Sequence, residues 1–394
     1  MKRIYLDYSA TTPVKKEVLE EMIPYFMEEF GNPSSIHKFG RDAKKHINEA
    51  REKVAKLIGA NGNEIYFTAG GSESDNWALK SVARDMKSKG KGNHIITTKI
   101  EHHAILHTCE ALEKEGFEVT YLDVDKYGFI DLDNLKNQIK DTTVLVSIMF
   151  INNEIGTIEP ISEIGKITKE KGVLFHTDAV QAVGNVHIDV KELNIDMLSM
   201  SSHKIYGPKG VGALYIRKGL VLSPFVHGGA QEKKRRAGTE NVPAIMGFGK
   251  AAESAYKNLD EHIEKVTYLR EKLKNGILNN ISHVVYNGHP DKRHPGNINL
   301  CFEFVEGEAM LLSLDILGIA ASSGSACTSG SLDPSHVLMA IGLSHEYTNG
   351  SLRLTIGDMT TEEDVDYVIE KMPAIIDRLR QMSPLYEGII GGNK

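Results

Sequence analysis

Between residues 64 and 216 the sequence alternates between short apolar runs and longer amphipathic segments. Runs such as 64–68, 94–98 and 144–151 are typical of buried strands, and the segments between them have helical spacing. Strands that alternate with helices usually pair in parallel, because each helix returns the chain to the same edge of the sheet. The pattern predicts an α/β fold with a mainly parallel sheet flanked by helices.

Polar side chains lie where five of the predicted strands end. They are Ser72, His102, Asn153, Asp178 and Lys204. In a parallel sheet with crossover helices these ends share one edge, which is where open α/β folds bind ligands. We expect the five side chains to face one crevice, although each of them alone also fits an ordinary surface position.

Lys204 has an unusual local setting. The apolar run that begins at Met197 ends at Ser201, and the glycines and proline of residues 207–210 force a turn after the lysine. Ser201 and His203 offer donors that can hold an anion. A lysine held beside an anion site suits a Schiff base with a phosphorylated aldehyde, which indicates pyridoxal phosphate. The alternative is an exposed lysine in a β-hairpin turn.

A Gly-Gly-Ser sequence at residues 70–72 lies between a predicted strand and a helix expected to start at Glu73. Glycines let the backbone approach a ligand closely, Ser72 can cap the helix, and a helix N-terminus attracts phosphate. We predict that Gly71 and Ser72 take the phosphate together with Ser201 and His203. An ordinary strand-to-helix turn is the alternative.

The other strand-end residues suit the same cofactor. Asp178 can keep the pyridine nitrogen protonated, which makes the ring an electron sink. Gln181 follows three positions later and can bond to the ring hydroxyl. His102 can stack on the ring face, although a surface pair with His103 is an equal alternative.

The length of 394 residues favours two domains. Beyond a strongly helical stretch at residues 244–274, short strands and helices follow in an α+β pattern. We expect an N-terminal segment over residues 1–14 that packs on the small domain. A large α/β domain is expected over residues 15–258 and a small α+β domain over residues 259–394.

Cys327 lies in a stretch of small and polar residues, 321–331. Such neighbours cannot cover a thiol, so we expect an exposed cysteine that is available as a nucleophile. Cys109 and Cys301 lie in a predicted helix and a predicted strand, where burial is expected. Arg353, inside an apolar strand, suits a substrate carboxylate unless its head group reaches solvent.

Composition argues against several classes of protein. The net charge is −7 and there is no long basic run, so no nucleic-acid partner is expected. The N-terminus lacks the apolar core of a signal peptide, and no apolar run is long enough to span a bilayer. The three cysteines are far apart, which suggests neither a disulfide framework nor a zinc site. We expect a cytoplasmic protein with no resident metal and no membrane association.

Together these motifs resemble the cysteine desulfurases of the NifS/IscS type, which are pyridoxal-phosphate enzymes of the class V aminotransferase group. The resemblance covers essentially the whole chain. It rests on residues 5–13 (YLDYSATTP), 32–35 (NPSS), 73–76 (ESDN), 101–102 (EH), 152–156 (NNEIG), 176–181 (HTDAVQ), 202–210 (SHKIYGPKG) and 322–329 (SSGSACTS). The last motif resembles the long-loop subgroup of the family. Relatives often have Gly-Ala-Thr where this chain has Gly-Gly-Ser, a departure that keeps the hydroxyl.

The resemblance implies a fold-type I homodimer with active sites at the subunit interface. It implies the conversion of L-cysteine to L-alanine, which leaves a persulfide on Cys327. The sulfur would then pass to an iron-sulfur scaffold protein or another acceptor, and Cys327 would be the residue that contacts a cluster in transit.

The family's residue roles also transfer to this sequence. The catalytic residues would be Cys327, Lys204 and His102. The cofactor-binding residues would be Gly71, Ser72, His102, Asn153, Asp178, Gln181, Ser201, His203, Lys204 and, from the other subunit, Thr239. The substrate would contact Asn153 and Arg353.

Three other interpretations remain at this point. A selenocysteine lyase or another class V aminotransferase would use the same pocket. Formation of alanine without an added keto acid, and the relative rate with selenocysteine, would separate these from a desulfurase. A non-catalytic scaffold with the same fold is the third, and the presence of Lys204, Asp178, His102 and Cys327 argues against it.

Overall fold

The computed structural model describes residues 2–323, 334–384 and 386. The strands are β1 Ile4–Tyr5, β2 Ile65–Thr68, β3 His94–Thr98, β4 Glu118–Leu122, β5 Thr143–Ser147, β6 Leu174–Asp178, β7 Met197–Ser201, β8 Gly212–Ile216, β9 Val284–Tyr286, β10 Asn297–Phe302, β11 Ile319–Ala320 and β12 Ser351–Thr355. The helices are α1 Lys16–Met22, α2 Pro24–Met27, α3 Lys38–Leu57, α4 Gly71–Ser88, α5 His103–Lys114, α6 Leu132–Gln138, α7 Ile161–Lys171, α8 Val242–Asn280, α9 Gly307–Ile316, α10 His336–Ala340, α11 His345–Asn349 and α12 Glu362–Gln381.

A seven-stranded sheet forms the centre of the fold, in the order β2-β8-β7-β6-β5-β3-β4. The pairs β3–β4, β3–β5, β5–β6 and β6–β7 are parallel. Strand β8 runs antiparallel to both of its neighbours, β7 and β2. The prediction of an α/β fold with a mainly parallel sheet is therefore confirmed.

Helices cover both faces of this sheet, and successive residues of one strand supply the two cores. Tyr66 of β2 packs with Trp77 of α4 in one apolar cluster. The next residue, Phe67, packs in another cluster with Ile47 of α3 and Phe248 of α8. Side chains of a strand alternate between faces, so a strand covered by helices on both faces must be apolar at consecutive positions. This explains the continuous apolar runs in the sequence.

A second, antiparallel sheet has the order β12-β10-β9. Its apolar side chains form a separate cluster with those of α12 and the later part of α8, including Leu273 and Val368. The first part of helix α8 packs in the cluster of the central sheet and its later part in this second cluster. Between the two parts, Asn258 has non-helical backbone angles. Strand β1 pairs in parallel with β11, so the N-terminal segment also reaches this part of the protein.

Across the residues that the structure describes, no helix combines the length and the apolar character needed to cross a bilayer.

Candidate active site

The carboxyl ends of the parallel strands open into a cavity of about 310 Å³. This volume is at the lower end of the roughly 300–1,000 Å³ usual for ligand pockets. The sequence-predicted residues that line it are Gly71, Ser72, His102, Asn153, Asp178, Gln181, Ser201, His203, Lys204 and Arg353. They come together because β2, β3, β5, β6 and β7 all end on this side of the sheet.

Lys204 lies in a single 3-10 turn, Ser202–Lys204, directly after β7. Its ammonium group donates a hydrogen bond of 2.9 Å to the carbonyl of Ala10 and another to the carbonyl of Ser9. These contacts hold the side chain in the cavity lining, where it is half-buried. The lysine does follow a β-hairpin strand, but the alternative of an exposed lysine is wrong.

The N-terminus of α4 forms one wall of the cavity. The helix begins at Gly71, with Gly70 as its N-cap, so the prediction that Ser72 caps the helix is wrong. Gly70 has φ 157° and ψ −176°, a conformation that is essentially restricted to glycine. A Cβ on Gly71 would lie 2.6 Å from Cγ2 of Val180. The two glycines thus bring the first N–H groups of an 18-residue helix to the cavity, as an anion site requires.

Asp178 is the last residue of β6 and is buried. Its Oδ1 accepts a hydrogen bond of 2.9 Å from the N–H of Val180, which fixes the carboxyl group. Burial raises the pKa of Asp178, while His102, the Val180 N–H and Lys204 act in the opposite direction. A carboxylate in such a place is stabilised by a cation, and a protonated ring nitrogen would supply one.

Two histidines in the cavity wall have hydrogen bonds that define their roles. His102 is the N-cap of α5, and its Nδ1 accepts from the N–H of Ala104 at 3.1 Å. A neutral His102 therefore carries its proton on Nε2. Nδ1 of His203 lies 3.1 Å from Oγ1 of Thr11. Burial, followed by the charges of Lys204 and Lys209, lowers the pKa of His203 to about 4, so this ring is neutral near pH 7.

Arg353 lies in β12, and its side chain is 4% exposed. It donates from Nη1 to the carbonyl of Asn153 at 2.9 Å and from Nη2 to Oδ1 of Asp7 at 3.0 Å. Its Nε is buried and has no hydrogen-bond partner among the described residues. The alternative that its head group reaches solvent is therefore wrong, and its guanidinium pairs with the carboxylate of Asp7.

Four residues of the site are not among those predicted from the sequence. Ser9 and Ala10 hold Lys204 through their carbonyls, and Ser9 also accepts from Nε2 of Gln181 at 3.0 Å. Asp7 holds Arg353. Asp75 of α4 also lines the cavity. Asp7, Ser9 and Ala10 fall in the 5–13 motif, and Asp75 in the 73–76 motif, but nothing local indicates which side chains they would meet.

Asp75 is a second buried carboxyl in this wall, and its Oδ1 has no hydrogen-bond partner within the described part of the chain. Burial and the charge of Asp178 raise its pKa, while Ser199 lowers it. Two buried carboxylates that repel each other do not both ionise easily. The pKa of Asp178 is raised less than that of Asp75, because His102, the Val180 N–H and Lys204 favour its charged form.

Two predicted site residues, Thr239 and Cys327, are not among the residues described as lining this cavity. Thr239 is exposed and lines a separate cavity of about 230 Å³ with Arg236 and Gly238. Thr239 therefore does not line the cavity that holds the other predicted residues of the same chain. Cys327 lies outside the described residues.

The other two cysteines are fully buried, as the sequence predicts. Burial raises the pKa of the Cys109 thiol. Burial also raises the pKa of Cys301, to about 11, although Nδ2 of Asn287 donates to its sulfur at 3.1 Å. Neither thiol is in a state suited to nucleophilic attack at neutral pH.

Glu101, beside His102, makes stability dependent on pH. Burial raises its pKa from 4.5 to about 8, although the Met149 N–H and the Thr98 hydroxyl donate to Oε1. The folded state therefore holds this proton more tightly, and stability falls as pH rises from about 4.5 through about 8. Glu101→Gln should reduce this loss by on the order of a few kcal/mol.

Urea unfolding of both proteins at pH 5.5 and pH 8 measures this effect. The midpoint of the wild type should fall more between the two values than that of Glu101→Gln. Equal falls would show that Glu101 is already ionised at pH 5.5.

Comparison with known proteins places the chain in a family. Residues 4–368 match the model of the family described as aminotransferase class V. The cysteine desulfurase IscS of Clostridium botulinum is 59% identical over 388 residues, which cover 98% of this chain and 97% of the relative. A solved NifS-like protein is 39% identical with a TM-score of 0.90 and covers 96% of this chain and 100% of its own. SspA, solved in complex with cysteine, is 39% identical with a TM-score of 0.80 over 91% of this chain and 100% of its own. The chain belongs to the class V aminotransferase family.

Proposed function

We propose that this protein is a cysteine desulfurase, which converts L-cysteine to L-alanine and leaves the sulfur on Cys327. The observation that carries the proposal is the convergence of Lys204, Asp178 and His102 on one cavity in a chain so similar to cysteine desulfurases. The overall change balances: the carbon–sulfur bond of cysteine breaks, a sulfur–sulfur bond forms on Cys327, and the thiol proton passes to the carbon that becomes the methyl group of alanine.

Pyridoxal phosphate fits the donors that line the cavity. The glycine-lined N-terminus of α4, Ser72, Ser201 and the neutral ring of His203 suit a phosphate. Buried Asp178 suits a protonated ring nitrogen, and Gln181 suits the ring hydroxyl. When bound, this cofactor withdraws electrons from the substrate's α-carbon.

The protein's own residues then position and protonate the reactants. Lys204 would bind the cofactor covalently, and the carbonyls of Ser9 and Ala10 hold its side chain in the cavity. His102, anchored at Nδ1, can give or take a proton at Nε2. Arg353 and Asn153 bind the substrate carboxylate, for which Arg353 already has a fixed orientation.

A direct assay tests the proposed activity. The purified protein is incubated with L-cysteine and a reductant but without a keto acid, and alanine and sulfide are measured. Equal amounts of the two products support a desulfurase. A requirement for a keto acid would instead indicate an aminotransferase, and a much faster reaction with selenocysteine would indicate a selenocysteine lyase.

We infer that the sulfur leaves Cys327 for an iron-sulfur scaffold protein or another acceptor in the cytoplasm. The IscS name of the relatives and the wide spacing of the three cysteines in the sequence support this. We also propose a division into residues 1–14, 15–258 and 259–394. The separate apolar clusters, the irregularity at Asn258 and the β1–β11 pairing support these limits.

A homodimer is supported by apolar side chains that remain exposed near the N-terminus. Large examples between residues 19 and 39 are Leu19, Ile23, Phe26, Met27, Phe30, Ile36 and Phe39, with Ile36 91% exposed. Exposed apolar surface of this kind usually marks an interface. A second copy of the chain is the occupant we propose, with Thr239 of each subunit at the phosphate of the other.

Thr239→Ala should weaken cofactor binding on the order of tenfold, because a hydrogen bond to a charged phosphate is lost. Absorbance titration of the apoprotein with pyridoxal phosphate measures this affinity, and analytical ultracentrifugation should show that the variant is still a dimer. Lys250→Ala, at a half-buried position that lines neither cavity, is the control. An active monomer, or unchanged affinity in Thr239→Ala, would contradict the shared site.

A further inference from the structure

The chain adopts an unfavourable backbone conformation just before Thr239. Glu232, Lys233 and Lys234 have φ values of 43°, 59° and 66°. None of them is glycine, and residues with a side chain rarely occupy this left-handed region, least of all three in succession. Such a turn persists only where surrounding contacts fix it, and strain of this kind concentrates at functional sites.

Buried contacts of Glu232 fix the turn. Its two carboxylate oxygens accept hydrogen bonds of 2.7 Å each from Nη1 and Nη2 of Arg51, and Oε2 also accepts from the N–H of Phe67 at 2.9 Å. Arg51 donates further to the carbonyl of Ile65 at 2.7 Å and lies 4.7 Å from the centre of the Phe67 ring. The carboxylate is therefore tied to both α3 and β2, and its side chain is 3% exposed.

Hydrogen bonds of Arg236 and Gly238 also fix the segment between this turn and Thr239. Arg236 forms two hydrogen bonds, of 2.9 and 3.2 Å, with Glu73 in the first turn of α4. The N–H of Gly238 donates to Oε1 of Gln231 at 3.1 Å. Thr239 itself is exposed and lies outside its own chain's candidate active site. The segment 231–239 is thus held firmly at its base and presents Thr239 outward.

We propose that Glu232, acting through Arg51, is a positioning residue for the cofactor site of the neighbouring subunit. The proposal rests on the proposed function and on the homodimer in which Thr239 meets the neighbour's phosphate. Glu232 holds the left-handed turn, the turn sets the direction of residues 235–239, and Thr239 then reaches the phosphate. Its effect on catalysis is exerted in the other subunit.

Mixed dimers test this directly. Glu232→Gln removes the charge that pairs with Arg51, and its homodimer should bind pyridoxal phosphate at least tenfold more weakly, as read from absorbance titration. A dimer of one Glu232→Gln subunit and one Lys204→Ala subunit is isolated with two affinity tags. The site built on the Glu232→Gln subunit then has an intact Lys204 and receives Thr239 from a chain with an intact Glu232. Half of the wild-type activity per dimer, and one tightly bound cofactor, are expected.

Two further proteins keep the result interpretable. Lys234→Gln, an exposed change in the same turn, should behave as the wild type. Arg51→Lys keeps the positive charge of the pair but cannot form the bidentate hydrogen bonds to Glu232. This variant is used in place of Glu232→Gln if the latter does not fold. Its mixed dimer with Lys204→Ala should recover the same activity.

If the mixed dimer recovers neither activity nor a tightly bound cofactor, the proposal is overturned, because Glu232 would then act on the site of its own chain. Unchanged cofactor affinity in the Glu232→Gln homodimer would overturn it as well. A Lys204→Ala homodimer that keeps full activity would be a different result, since it would refute the proposed function itself.

Discussion

Lys204→Ala should abolish the visible absorbance of the bound cofactor and reduce alanine formation by at least about a thousandfold. General acid–base contributions alone are worth about 10²–10⁴-fold, and Lys204 is also the residue proposed to bind the cofactor covalently. In the structure its ammonium group is placed in the cavity by the carbonyls of Ser9 and Ala10. The absorbance spectrum and the rate of alanine release from L-cysteine measure the two effects.

Lys209→Ala is the matched control. Lys209 lies five residues further along the same turn, is exposed, and does not line the cavity. This variant should keep the spectrum and the rate of the wild type. If Lys204→Ala forms alanine at the normal rate, the assignment of Lys204 is wrong.

Cys327→Ser should stop alanine release and persulfide formation while cofactor binding is retained. The residues proposed to bind the cofactor do not include Cys327, so its loss removes the sulfur acceptor alone. Addition of L-cysteine should still change the absorbance of the bound cofactor. Mass spectrometry after a brief pulse of L-cysteine should find one added sulfur on the Cys327 peptide of the wild type and none in the variant.

The other cysteines provide the controls. Cys109→Ser and Cys301→Ser should retain the chemistry and lose roughly 1–3 kcal/mol of stability for a buried hydroxyl. The loss should be smaller at Cys301, because the amide of Asn287 can bond to the new hydroxyl. A sulfur found on the Cys109 or Cys301 peptide, with Cys327→Ser fully active, would refute the role of Cys327.

The common edge of the sheet could be predicted because it depends on local patterns and a general rule. Apolar runs separated by helices specify parallel strands, and parallel strands connected by helices end on the same side. Asp178 and Lys204 lie at or just after the ends of neighbouring strands β6 and β7. Their appearance in one cavity therefore follows from their places in the sequence.

The start of α4 could not be predicted in this way. A serine before a run of helix-forming residues is a typical N-cap, and this favours a helix that begins at Glu73. The helix begins two residues earlier because Gly70 adopts angles open to glycine and Gly71 packs against Val180, more than a hundred residues away. Packing of this kind leaves no trace in the local sequence.

By itself, the sequence determined that strands and helices alternate between residues 64 and 216, that the sheet strands are apolar on both faces, and that the strand-end residues share one edge. Tertiary structure alone decided what surrounds those residues. Ser9 and Ala10 are nearly 200 residues from Lys204 and hold it through main-chain carbonyls, which every residue possesses and no side-chain pattern distinguishes. Likewise, the guanidinium of Arg353 meets Asp7 from the far end of the chain. Periodicity encodes which face a residue occupies, whereas the partner it meets depends on how distant segments pack.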